Sequence, residues 1–237
     1  MTALALAAAV FLGGLVQGTT GIGFALLVAP SVALLGPALL PGFVLLLMLP
    51  LNLYVIGREH AAVDWRGVGW VTAGRVLGTL PGWAALVILA SWQLDLLVGG
   101  ATVLASAATL LRPAFAPRPG NCIGAGFVTG VTETATGIGG PPPAMLYQHQ
   151  PASVLRTSVA VCFLISQSIS LVALAAGEVL DGAAIAETLP YFALVAAGAA
   201  VSHVSRGLLN AVALRQAVMA LAAASGGLLL LRGLLAA

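Results

Sequence analysis

Two glycine-rich stretches, Gly18-Thr19-Thr20-Gly21-Ile22-Gly23-Phe24 and Thr134-Ala135-Thr136-Gly137-Ile138-Gly139-Gly140-Pro141-Pro142-Pro143, interrupt long apolar runs of this sequence. Glycine adopts backbone conformations that end a helix, and proline removes a backbone donor. Each stretch therefore predicts a helix break with N–H groups that lack a partner inside their own helix. Pro141 to Pro143 suit the first turn of a following helix, where no donor is missed.

The composition is that of a membrane protein. Hydrophobic residues make up 60% of the 237 residues and charged residues 7%, whereas a soluble domain carries about 25% charged residues. Such a chain cannot cover itself with polar surface, but a lipid bilayer is as apolar as these side chains. The net charge of +2, from nine Arg and seven acids without any Lys, is too small and too scattered to bind phosphates. The composition therefore excludes a soluble enzyme and a nucleic-acid partner.

Ten nearly uncharged runs follow one another along the chain, five on each side of a polar linker. A spanning helix needs about 17–25 apolar residues, and the runs 22–36 and 139–149 are too short or too broken for that. We expect these two to be half-helices or re-entrant segments whose backbone is covered by protein or a cavity. The sequence predicts an all-α integral membrane protein with a first membrane repeat at 1–112, a cytoplasmic linker at 113–120 and a second repeat at 121–237. The other runs are 2–18, 38–57, 67–90, 94–112, 121–136, 153–176, 188–205 and 212–232.

The two sets of runs resemble each other. Gly21-Ile22-Gly23 corresponds to Gly137-Ile138-Gly139, a shift of 116 residues from Gly21 to Gly137. Further on, Gly74-x-x-x-Gly78 parallels Gly198-x-x-x-Ser202 at a shift of 124. Because each set holds an odd number of segments, the second set enters the membrane inverted, as in transporters built from inverted repeats. At the shift of 116 the further pairs are Phe11 with Phe127, Gly14 with Gly130, Gln17 with Glu133, and Thr20 with Thr136.

Arginine placement predicts the topology, because cytoplasmic loops retain positive charge. If every segment reverses the chain, all Arg-bearing connections lie on one side and both termini lie on the periplasmic side. Arg232 alone falls on the other side, where the connections carry acids such as Asp95 and Glu187. The arginines that mark the cytoplasmic side are Arg58, Arg66, Arg112, Arg118, Arg156, Arg206 and Arg215.

An anion between the two breaks would satisfy the free N–H groups and the positive ends of the helices that follow them. The alternative is that the glycines only allow close helix packing, but two breaks at corresponding positions favour a binding site. Asn52 corresponds to the run Ser166-Gln167-Ser168, and a place in the same cavity or plain helix–helix hydrogen bonding explains it equally well. The candidate substrate-binding residues are Gln17, Thr20, Gly21, Gly23, Asn52, Arg75, Thr136, Gly137, Gly139, Gly140 and Pro141.

Two charged residues lie inside apolar segments. Glu133 precedes the second break by four residues, and a carboxylate buried in hydrocarbon is paired or protonatable. It is a candidate proton carrier; the alternative is a protonated side chain that bonds a neighbouring helix. Arg75 lies about 12 Å into its segment at 1.5 Å per residue. It either lines an anion path, pairs with Glu133 or reaches back to the interface.

The sequence shows no HExxH, GxSxG or Walker motif, and Cys122 and Cys162 lack the spacing of a metal site. We therefore expect no enzymatic activity, no metal and no cofactor. The cysteines are best explained as small buried apolar residues.

The second half is similar to the sulfite exporter TauE/SafE family in Thr136-Gly137-Ile138-Gly139-Gly140-Pro141-Pro142, Met145-Leu146-Tyr147, Arg156-Thr157-Ser158 and Gly177. In the first half, Gly21-Ile22-Gly23-Phe24 with Pro30 resembles the partner motif. The resemblance covers nearly the whole chain. It implies a permease of the bacterial inner membrane for sulfite or an organosulfonate, with Gly21, Gly23, Gly137, Gly139 and Pro141 at the substrate site.

The sequence thus predicts a secondary-active, multi-pass transporter for a small anion, with a site near the membrane midplane. An anion channel and a non-transporting scaffold subunit are the alternatives. Which anion is carried, in which direction, with which coupling ion, and whether the chain forms a homodimer are left open.

Overall fold

The computed structural model describes residues 2–20, 23–59, 63–111, 115–139, 141–204 and 211–237. Over these residues the chain forms ten α-helices, and a single 3₁₀ turn, Pro37–Leu39, follows the second. The all-helical fold expected from the sequence is confirmed. The helices are α1 (Thr2–Thr20), α2 (Phe24–Leu35), α3 (Gly42–Glu59), α4 (Trp65–Ile88), α5 (Ser91–Leu111), α6 (Pro119–Thr136), α7 (Pro141–Tyr147), α8 (Ala152–Ala176), α9 (Gly182–Val204) and α10 (Ala211–Leu235).

Five helices of the described chain are long and apolar enough to cross a bilayer, and three shorter ones are equally apolar. Many of their large side chains point outward: Leu80, Leu104 and Val172 are about 70% exposed. Such residues would face lipid, which suits them better than water. The chain is a multi-pass membrane protein. The five spans are Trp65–Ile88, Ser91–Leu111, Ser153–Ala176, Gly182–Ser202 and Gln216–Leu235.

The most extensive helix contact joins α4 to α6, at a crossing lined by glycine. A methyl group on Gly130 would lie 2.7 Å from the carbonyl oxygen of Arg75, and one on Gly126 would collide with the carbonyl of Val71. Small residues let two backbones approach in this way inside a membrane. For the glycines of this crossing, close packing is a sufficient explanation.

Helices α1 and α9 cross in the corresponding manner. A methyl group on Gly14 would lie 2.8 Å from the carbonyl oxygen of Val195. One on Gly18 would collide with the hydroxyl of Ser202, and one on Gly198 with the carbonyl of Phe11. The sequence parallel between the motifs at 74–78 and 198–202 therefore corresponds to two similar crossings.

Contacts along the helices give their relative directions. Residue numbers rise together across α1 and α9 and across α4 and α6, so both pairs are parallel. In α5 and α10 Gly99 lies against Gly226 while Gly233 lies against Trp92, so this pair is antiparallel. These directions are the ones that result when each helix reverses the chain. The α1–α9 and α4–α6 pairs thus share both their parallel direction and their glycine-lined crossings.

Candidate functional site

Both glycine-rich stretches interrupt a helix at a residue with positive φ. Gly23, with φ of 125°, precedes the first residue of α2. Gly137, with φ of 78°, ends α6 in the left-handed conformation and donates its N–H to the carbonyl of Glu133 at 2.8 Å. These angles strain any residue with a Cβ. At these two glycines, unlike at the helix crossings, the backbone conformation itself requires glycine.

Two N–H groups at the breaks already have side-chain partners within the chain. Phe24 donates its backbone N–H to Oε1 of Gln17 at 3.2 Å, and Ile138 donates its N–H to Oγ1 of Thr136 at 3.2 Å. The expectation that these donors would be free is wrong for this conformation, because a buried N–H needs an acceptor. An incoming anion would have to replace the two side-chain oxygens.

The two breaks meet at one small cavity. Gln17 and Gly23 from the first break and Pro141 from the second lie in its wall, together with Met48 and Phe163. Ala25, Leu26 and Thr109 complete the lining. The cavity is about 10 Å³, the room of roughly one water molecule, so an oxyanion would require it to widen.

Glu133 and Arg75 form a buried ion pair, which Gln167 connects to Met48 of the cavity wall. Nη1 of Arg75 lies 2.9 Å from Oε2 of Glu133, and each side chain is 1% exposed. Arg75 also donates to the carbonyl of Ser166 at 3.0 Å and to the hydroxyl of Ser170, so several acceptors offset the desolvation of its charge. Of the three alternatives for Arg75, the structure shows pairing with Glu133.

A chain of hydrogen bonds runs from the ion pair to the first half of the sequence. Nε2 of Gln167 on α8 donates to Oε1 of Glu133 at 3.4 Å and to the sulfur of Met48 at 3.5 Å. Nδ2 of Asn52 on α3 donates to Oε1 of Gln167 at 3.0 Å. All four side chains are buried. Asn52 therefore belongs to a polar network behind the cavity rather than to its lining.

Gly139 lies directly under the carboxyl group of Glu133. A methyl group at this position would lie 2.7 Å from Cδ and 2.9 Å from Oε2 of Glu133. The carbonyl of Gly139 also accepts a hydrogen bond from the hydroxyl of Thr129 at 3.3 Å. The second break therefore shapes the position of the ion pair.

The outer ends of the two short helices are tied by polar side chains. Arg232 donates through Nε to Asp95 at 2.6 Å and through Nη2 to the carbonyl of Ala33, in the last turn of α2, at 2.9 Å. The one arginine that breaks the charge pattern of the sequence is thus paired with an acid of its own side. At the end of α7, the hydroxyl of Tyr147 donates to Asp64 at 3.2 Å.

The structure brings together most of the predicted site. Gln17, Gly23 and Pro141 line the cavity, and Arg75, Glu133 and Asn52 form the network behind it. Thr136, Gly137 and Gly139 lie in the second break. Gly21 and Gly140 fall outside the described residues, as does the side chain of Thr20.

Five residues of the cavity wall were not predicted from the sequence: Ala25, Leu26, Met48, Thr109 and Phe163. All but Thr109 are apolar residues in apolar helices, which carry no signal of function. Across the part of the chain that the structure describes, no group of three or more His, Cys, Asp or Glu side chains is placed to hold a metal. Cys122 and Cys162 are buried and unlinked.

A family model described as "Sulfite exporter TauE/SafE" matches residues 6–230. Searches of curated proteins and of solved structures found no match.

Proposed function

The chain belongs to the sulfite exporter TauE/SafE family, and we propose that it is a secondary-active transporter that carries sulfite, another sulfur oxyanion or an organosulfonate. One observation carries the proposal for the site: residues of both helix breaks, Gln17 and Gly23 with Pro141, line the same cavity. Transporters of repeat architecture bind substrate where broken helices meet. The chain would lie in the bacterial inner membrane, with both termini periplasmic, and would catalyse no reaction.

The donors for the anion would come from the breaks themselves. Phe24 opens the twelve-residue helix α2, so its N–H lies at the positive end of a helix, where anions bind. Pro141 to Pro143 have no N–H to offer, so the second break would contribute the N–H groups of residues such as Ile138 and Gly139. When the anion binds, it takes the places of the Gln17 and Thr136 oxygens.

The charges of the ion pair, which Gln167 connects to the cavity wall at Met48, would couple the binding of an anion to the protonation of Glu133. With Glu133 ionised, Arg75 is neutralised and a second anion nearby would be repelled by the carboxylate. With Glu133 protonated, the buried guanidinium has an uncompensated charge that a substrate anion can balance. Anion and proton would therefore enter the site together, with Glu133 as the proton carrier.

The cavity of about 10 Å³ is too small for an oxyanion, so the site would have to widen during transport. Access would then come from movement of one half of the chain, residues 1–112, against the other, residues 121–237, with 113–120 as the linker. The parallel α1–α9 and α4–α6 pairs support two halves of opposite orientation. Rocking of such halves exposes a fixed site to each side of the membrane in turn.

Purified protein tests the proposal directly. Sulfite, thiosulfate, sulfonates and carboxylates are added in turn, and the thermal unfolding midpoint is recorded for each, since a ligand of the folded state raises it. We expect sulfite or another sulfur oxyanion to stabilise the protein and carboxylates to have less effect. In proteoliposomes the same anion should show saturable flux. Flux that does not saturate would indicate a channel, and no flux with any of these anions would contradict transport.

A further inference from the structure

One face of α3 contacts the second break and Gln167 of α8 at three successive turns. Val44, Met48 and Asn52 are spaced four residues apart and so lie on the same side of the helix. A methyl group on Gly137 would lie 3.1 Å from Cβ of Val44. Met48 and Asn52 both bond Gln167, and Met48 also lines the cavity. A change at the second break can therefore reach the cavity wall through this face.

The hydrogen bonds of Gln167 have a fixed direction. Its NH₂ group donates to Glu133, and its carbonyl oxygen accepts from the NH₂ group of Asn52. An amide nitrogen only donates and an amide oxygen only accepts. The observed orientation therefore requires that Oε1 of Glu133 is an acceptor, as it is in the ionised carboxylate.

Protonation of Glu133 conflicts with this orientation. Oε2 faces the guanidinium of Arg75 at 2.9 Å, and a guanidinium can only donate, so with the ion pair in place the proton goes to Oε1. The new hydroxyl becomes a donor, and Gln167 can accept from it only by turning its amide oxygen toward it. Its NH₂ group would then meet the NH₂ group of Asn52, donor against donor.

We propose that Gln167 and Asn52 form an amide switch that transmits the protonation state of Glu133 to α3 and to the cavity wall at Met48. To relieve the conflict, Asn52 turns as well or α3 shifts away from α8. Both residues act through Glu133 and are positioning residues, not substrate ligands. The inference rests on the proposed proton-coupled transport and deepens it.

Few titratable or charged side chains other than Glu133 can contribute to the pH dependence of flux at this site. Among the described helices packed against α6, α4 presents the charged Arg75 to Glu133. Helix α8 presents the neutral Ser166, Gln167 and Ser170, and α3 reaches it through Met48 and Asn52. The Asp95 carboxylate of α5 is bound to Arg232, and the hydroxyl of Tyr147, the titratable group of α7, donates to Asp64.

The test is the pH profile of anion flux into proteoliposomes for the full-length protein and two variants, Gln167→Met and Asn52→Leu. Gln167→Met removes a hydrogen bond to the ionised form of Glu133, whereas Asn52→Leu removes the donor that opposes the turned amide of Gln167 in the protonated form. Both changes favour the protonated form, so the pH midpoint of flux should rise, by about one unit for Gln167→Met, the effect of one hydrogen bond to a charged group. In a Glu133→Gln background the same substitutions should change the rate and leave a flat pH profile flat.

The matched control is Ser168→Ala, because Ser168 is exposed and bonds the carbonyl of Leu164 in its own helix. It should keep the wild-type midpoint. If Asn52→Leu is not recovered folded, Asn52→Ala replaces it; this variant also removes the donor to Gln167 without adding a charge and should raise the midpoint likewise. Variants that lower the rate equally at every pH, with the midpoint unchanged, would overturn the switch. Flux by the wild-type protein that shows no pH dependence would also overturn the amide switch but would be compatible with transport. Absence of flux by the wild-type protein would refute the proposed function itself.

Discussion

Replacing Gly139 with Ala places a methyl group against the buried ion pair. The new carbon would lie 2.7 Å from Cδ, 2.9 Å from Oε2 and 3.0 Å from Cβ of Glu133, whereas carbon atoms in contact are about 3.5–4.0 Å apart. The carboxyl group or the break must therefore move by about 1 Å. Either movement disturbs the 2.9 Å contact between Glu133 and Arg75 or the 3.3 Å bond from Thr129 to the Gly139 carbonyl.

Overpacking of this kind costs about 1–3 kcal/mol, a part of the roughly 5–15 kcal/mol that stabilises a folded protein. Gly139→Ala should therefore insert and fold but misplace the groups that bind anion and proton. We expect the initial rate of sulfite flux per incorporated protein to fall about tenfold or more, and a bulkier residue at this position or at Gly137 to abolish it.

Gly124→Ala is the matched control, since Gly124 lies in α6 and a methyl group there meets no atom within 4 Å. It should transport at the wild-type rate, with helix stability unchanged or slightly raised. Wild-type flux by folded Gly139→Ala protein would contradict the assigned site, because the substitution must disturb either the ion pair or the second break.

Three further predictions concern Gly137, Glu133 and the pair of Arg232 with Asp95. Gly137→Ala forces a left-handed conformation that costs about 1–2 kcal/mol and should lower the thermal midpoint; Gly137→Asn should lower it less. Glu133→Gln leaves the charge of Arg75 buried without a counter-ion, which should lower the stability of the protein by about 3–5 kcal/mol. It should also remove the dependence of flux on a pH gradient. An unchanged dependence would exclude Glu133 as the proton carrier. Arg232→Gln breaks the ion pair with Asp95. The protein should lose about 1 kcal/mol or less of stability, as expected for a partly exposed pair, and its thermal unfolding midpoint should fall slightly. Adding Asp95→Asn to this variant should lower the midpoint little further.

Segment order was predictable because hydrophobic length dominates in a membrane chain. The helix boundaries were less predictable, as α9 shows. The sequence placed its start at residue 188, after Glu187, whereas the helix begins at Gly182. Oδ1 of Asp181 accepts the N–H of Ala184 at 2.7 Å, so an acid that looked like part of a polar loop instead caps the helix. Charged residues at the end of a spanning helix are tolerated because water reaches them.

The site was predictable where glycine signals a backbone break and where a charge lies in an apolar run. Gly23, Gly137 and Glu133 carry such signals, and each has a distinct structural role. The partners of these residues depend on tertiary packing, which leaves no local trace. No sequence pattern predicted that Met48 lines the cavity wall. Likewise, none predicted the hydrogen bond between Tyr147 and Asp64, which are 83 positions apart.

The proposed transport mechanism requires a single anion site that the two breaks share. A structure of the protein with selenite, which mimics sulfite and scatters X-rays anomalously at selenium, would locate that site. We predict one selenium peak among Gln17, Gly23 and Pro141, within reach of the Phe24 N–H. A peak elsewhere in the bundle, with the two breaks unchanged and their cavity closed, would contradict it.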